Sequence, residues 1–96
     1  MVTKEMIEER LKKYKPQLAE KYNVKEIGFF GAYARREQTE ESDVDILVEF
    51  SGPIGWRFID LKDELEEILG KKVDLVTKNA LKPQMKNDIL KEVIYQ

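Results

Sequence analysis

A chain of 96 residues has room for one domain and one modest core, so homo-oligomerisation or a partner protein would supplement it. Acids and bases are mixed along it at a net charge of −2, which argues against membrane attachment or strong nucleic-acid binding through a basic face. It has neither cysteine nor histidine, which removes disulfides, thiolate chemistry and the usual ligands of zinc. Any general base must then be Asp, Glu, Lys or Tyr, and any metal a hard cation held by carboxylates. The start lacks a basic-then-apolar leader and no apolar run reaches membrane length, so a cytoplasmic protein is expected.

Residues 3 to 22 place Ile7, Leu11, Tyr14, Leu18 and Tyr22 on one stripe of a helix. Thr3 is its expected N-cap and Asn23 its stop. Pro16 predicts a kink or a restart inside it. VKEIGFF, residues 24–30, reads as a first strand ending at Gly31. VDILVEF, residues 44–50, reads as a second, with Val44, Ile46, Val48 and Phe50 on one face and Asp45, Leu47 and Glu49 on the other. After the turn cluster SGPIG, residues 57–69 repeat apolar positions at Phe58, Leu61, Leu65 and Ile68, and Gly70 closes that helix. KVDLVT, residues 72–77, is a third strand, and residues 82–95 a last helix with Pro83 in its first turn. The order predicts an α/β (α+β) fold, a small mixed three- to four-stranded sheet flanked by helices, in a single domain spanning 1–96.

Three acids stand where such strands prefer apolar residues. Asp43 and Asp45 are two apart, so both project to the same side, roughly 7 Å between their α-carbons. Like charges this close raise each other's pKa, and a cation removes that penalty. Magnesium takes one or two carboxylates together with phosphate oxygens and water. Asp74 lies between Val73 and Leu75 on another strand. If that strand neighbours the second, Asp74 joins the cluster and can accept the proton of an attacking hydroxyl. The alternative is structural: Asp43 caps a loop while Asp45 and Asp74 occupy a solvated edge.

Gly31 permits close approach of backbone to a phosphate, or is a plain turn glycine. Arg35 and Arg36 either neutralise phosphate charge or pair with Glu37, Glu40 or Glu41. Tyr33 is a buried ring or a base-stacking one. Trp56 either packs on its own domain or lines a nucleotide pocket or a partner surface. The Leu61/Leu65 and Met85/Ile89 stripes read as core.

Gly31-Ala32-Tyr33-Ala34-Arg35 followed by Ser42-Asp43-Val44-Asp45-Ile46-Leu47-Val48 resembles the signature of the minimal nucleotidyltransferases of the DNA polymerase beta superfamily. That signature is an apolar strand, Gly-Ser-x-Ala-Arg-Gly, then Ser-Asp-hydrophobic-Asp-hydrophobic, with a third acid on a later strand that Asp74 matches. The resemblance covers nearly the whole chain. It implies a magnesium-dependent transfer of a nucleoside monophosphate from ATP, or another nucleoside triphosphate, to a hydroxyl. Asp43, Asp45 and Asp74 match the metal-binding and catalytic carboxylates, and Gly31, Ala32 and Arg35 the nucleotide-binding turn. Small members of the family accompany HEPN-domain toxins as antitoxins, and some attach AMP to a toxin tyrosine. The implied function is therefore a protein adenylyltransferase antitoxin. The alternative is a catalytically weak antitoxin that neutralises its partner by binding. Two departures bear on that choice. Ala32 replaces the family serine, removing a hydroxyl expected on the triphosphate, and Arg36 replaces the family glycine.

Overall fold

The computed structural model describes residues 1–96. The first helix, α1 (Lys4–Tyr22), begins where the Thr3 hydroxyl accepts the Met6 N–H at 3.2 Å, and ends at Asn23 in the left-handed conformation, φ 56°. It runs without a break through Pro16, contrary to the restart expected there. Pro16 lies on the exposed side, so the carbonyl of Lys12 that loses its partner faces water. The stripe Ile7, Leu11, Leu18 and Tyr22 is buried as expected.

Strand β1 (Val24–Phe30) pairs antiparallel with β2 (Val44–Phe50), and β2 pairs in parallel with β3 (Val73–Thr77). The parallel step requires a crossover, which α3 (Arg57–Leu69) supplies. Gly70 closes α3 at φ 70°. Arg10 of α1 donates to the last α3 carbonyls, Ile68 and Leu69, at 3.3 Å each. The expected last helix is shorter than residues 82–95: α4 spans Pro83–Glu92. The chain then extends into a two-residue strand, β4 (Ile94–Tyr95), paired antiparallel to β1. The sheet therefore has four strands in the order β3-β2-β1-β4.

The two faces of this sheet differ. On one, Ile27 and Phe29 of β1, Val44, Ile46 and Val48 of β2, and Val73 and Leu75 of β3 pack with α1 and with Leu61, Leu65 and Leu69 of α3. That is the core. By alternation, the other face carries Gly28 and Phe30, then Asp45 and Leu47, then Asp74 and Val76. Leu47 is 2% exposed yet lies outside the main core. Its register partner is Gly28, onto which Val93 folds from the end of α4. No residue of α4 is buried, and Met85 is 51% exposed, so the Met85/Ile89 stripe is not core.

Gly28 explains how the chain end reaches β1. A Cβ there would stand 2.6 Å from Val93 Cγ1 and 2.8 Å from the Ile94 carbonyl oxygen. A mid-strand glycine of this kind marks the close approach of another backbone. Gly28→Ala should therefore dislodge β4 and cost about 1–3 kcal/mol, by analogy with overpacked cores. Thermal melting checks the loss, and amide exchange should place it in residues 93–95 and not in β2. Unchanged stability would mean that the chain end does not need this gap.

Candidate functional site

The parallel register makes Asp45 and Asp74 direct neighbours. Asp45 thus sits between Phe30 of β1 and Asp74 of β3, on the face opposite the core. Asp43 precedes β2 and is exposed, as is Asp74, while Asp45 is half-buried. The environment acts on Asp45 most: burial first, then the charges of Asp74 and Asp43, push its carboxyl up to about 6, against a smaller opposing effect of Arg35. No three carboxylates are yet drawn together closely enough to share one ion. The donor set nonetheless suits a hard cation, because it is all oxygen and the negative charges of Asp74 and Asp43 crowd Asp45 more than Arg35 offsets them.

Gly31 lies directly against this acid. Its backbone, φ 73° and ψ −150°, is one that side-chain-bearing residues avoid, and a Cβ there would stand 2.1 Å from Asp45 Oδ2. Gly31 is therefore a close-approach glycine and not a plain turn. It leads into the single turn α2 (Ala32–Arg35), in which Tyr33 is buried beneath the site. Burial, and then the Asp43 charge, raise the Tyr33 phenol above its ordinary value. The ring is thus part of the core and not a base-stacking surface.

The arginines are engaged. Arg35 donates to Glu37 at 3.0 Å and, through Nη1, to Glu92 at 2.6 Å. Arg36 reaches Glu5 of α1. Arg36 also adopts φ 60°, the left-handed conformation. This accounts for the glycine of the family pattern: the position needs positive φ, and the arginine side chain turns outward to α1 instead of crowding the acids. Trp56 lies beyond the other end of β2 from the acids and is 88% exposed, so it does not line this site. Glu92 is the residue that sequence reasoning missed. One signal was there: an acid in the last turn of a helix opposes the helix dipole, so something else must favour it. That something is Arg35 together with the Gly31 N–H, which donates to Glu92 Oε2 at 2.9 Å.

Residues 11–96, which contain Gly31, Arg35, the three aspartates and Glu92, match the nucleotidyltransferase domain family. This chain belongs to that family, in its minimal nucleotidyltransferase branch. Among its relatives, the protein adenylyltransferase MntA of Thermococcus cleftensis is 48% identical, over 99% of this chain and 97% of its own length. The Methanocaldococcus jannaschii protein MJ0128 is 52% identical, over 99% of both chains. A solved structure described as a minimal nucleotidyltransferase superposes with a TM-score of 0.83 at 32% identity, covering 98% of this chain and 96% of that one. A toxin–antitoxin structure with AMP-PNP shares the fold at a TM-score of 0.65 and 22% identity, covering 96% of this chain and 70% of that one.

Two measurements test the electrostatics and the turn. Asp45 has a raised folded pKa, so its contribution to stability is fully present below its unfolded value and is lost as pH rises through about 6. In metal-free buffer, Asp45→Asn should gain stability relative to the parent between pH 4 and pH 7.5, roughly the window of that titration. A pH-independent difference in melting temperature would contradict the assignment. At position 36, Arg36→Gly should melt above Arg36→Ala, since both lose the Glu5 contact but only glycine relieves the positive φ.

Proposed function

We propose that this chain is a magnesium-dependent, cytoplasmic protein adenylyltransferase that moves AMP from ATP to a tyrosine hydroxyl of a HEPN-type toxin and so acts as its antitoxin. The observation that carries the reading is the lateral pairing of Asp45 with Asp74, with the backbone of Gly31 pressed against Asp45. A hydroxyl acceptor, an α-phosphorus and the acids that serve them must meet at one point, and two strands and a turn converge there.

Asp43, Asp45 and Asp74 would hold the magnesium, whose charge offsets that of the triphosphate and stabilises the transferring phosphoryl group. Gly31 lets the backbone of the nucleotide turn lie directly against Asp45 because no Cβ intervenes. Asp74, exposed on its strand, is placed to take the proton of the incoming hydroxyl. The hydroxyl oxygen then bonds to the α-phosphorus as the bond to the bridging oxygen breaks, and pyrophosphate leaves. The name of the Thermococcus relative, a protein adenylyltransferase at 48% identity over nearly the full chain, supports AMP as the transferred group and a protein as its acceptor.

Ala32 favours a second reading, in which the turn binds nucleotide weakly and the chain neutralises its partner by occupancy. Incubation with the partner toxin, magnesium and α-labelled ATP separates the two. The first reading predicts label on a toxin tyrosine and its loss with Asp45→Asn. Label that survives that substitution contradicts the assigned mechanism. A toxin that stays inhibited by a variant with Asp43, Asp45 and Asp74 all changed to Asn supports occupancy. Restoring the hydroxyl with Ala32→Ser should tighten ATP binding about tenfold to a hundredfold, the worth of a hydrogen bond to a charged group. Calorimetry reads that change directly.

A further inference from the structure

Glu92 lies on neither β2 nor β3, and its charge adds only a minor push to Asp45, yet it touches two of the groups at the nucleotide turn. Its Oε2 accepts the Gly31 N–H at 2.9 Å and its Oε1 accepts Arg35 Nη1 at 2.6 Å. One carboxylate thus ties the residue before α2 to the last residue of α2. Gly31 is held from two directions, by this hydrogen bond on its N–H and by Asp45 packed against its Cα. Glycine adopts φ 73° and ψ −150° without steric penalty but is equally free to leave it, and these two carboxylates are the contacts that hold it there.

Two further features set this contact apart from an ordinary surface ion pair. The Glu92 side chain is only 24% exposed. Burial opposes its ionisation, but the hydrogen bonds from Arg35 and the Gly31 N–H outweigh that, so its carboxyl lies below the ordinary value and stays charged. The helix that carries it has no buried residue, so apolar packing along α4 does not account for where Glu92 sits. It is delivered instead by β4, which anchors the chain end to Gly28 and Phe29 of β1, two residues short of Gly31.

We propose that Glu92 is a positioning residue of the nucleotidyl-transfer site: by accepting from both the Gly31 N–H and the Arg35 guanidinium, it fixes the nucleotide turn against Asp45 before the triphosphate arrives. The proposal rests on the nucleotidyltransferase reading given above. It makes the C-terminal segment part of the site although none of its side chains bears on the reacting atoms.

The test compares the parent chain with Glu92→Gln and Glu92→Ala in two measurements. Calorimetric titration with magnesium and ATP should show Glu92→Ala binding at least about tenfold more weakly, the loss of one charge-assisted hydrogen bond. Glu92→Gln keeps an acceptor for the Gly31 N–H and should recover part of that affinity. Amide exchange should show the Gly31 N–H losing protection in Glu92→Ala while Ile46 and Val48 keep theirs, which a general loss of folding would not do. ATP affinity that is unchanged or tighter in a folded Glu92→Ala would overturn the proposal; tighter binding would mark the carboxylate as a competitor of the phosphates. A parent chain that binds no ATP would overturn the nucleotide reading itself, and the Gly31 exchange data would still tell that failure from a failure of Glu92 to hold the turn.

Discussion

The structure turns on the register of two parallel strands. Because β2 and β3 align Asp45 with Asp74, two carboxylates from distant parts of the sequence become lateral neighbours on a half-buried face. Neutral residues would serve the sheet better there, since like charges directly opposite each other destabilise a pair of strands. The cost appears at Asp45, whose carboxyl burial and the neighbouring acids push up to about 6.

The rest of the molecule can be understood as support for that juxtaposition. The α3 crossover makes the parallel pairing possible, and Leu61, Leu65 and Leu69 bury it against α1. With every apolar strand residue of the core on one side, the other side is left to Gly28, Phe30, Asp45, Leu47 and Asp74. Its two glycines do complementary work. Gly28 lets Val93 and Ile94 come down onto β1, and Gly31 lets the turn come down onto Asp45. The chain end then reaches back through Glu92 to the turn. Core, acids and closing segment thus meet along the C-terminal half of β1.

Much of this was legible in the sequence. The period of Ile7, Leu11, Leu18 and Tyr22 marked α1, and the alternation of Val44, Ile46 and Val48 marked the inner face of β2. Asp43, Asp45 and Asp74 stood out because acids interrupt apolar strands, and Gly31 because it ends one. What stayed hidden depends on contacts between distant residues. No periodicity marks the two residues of β4, whose pairing depends on the gap at Gly28. Glu92 reads as one more charge on a polar helix until the fold sets it beside Gly31 and Arg35. The apolar stripe of α4 misled for the complementary reason: helical spacing marks a face but not whether anything covers it, and Met85 remains half in solvent. Arg36 was ambiguous as a charge, and its backbone conformation resolved it.

The central claim is that Asp45 and Asp74 together hold a divalent cation for a nucleotide. Manganese binding followed by electron paramagnetic resonance, with ATP present, tests it most directly in the parent chain and in Asp45→Asn and Asp74→Asn. The account predicts bound manganese in the parent and its loss or marked weakening in each variant, with all three proteins folded. Equal binding in the parent and both variants would contradict it, and would return the paired acids to the status of a tolerated charge on a sheet edge.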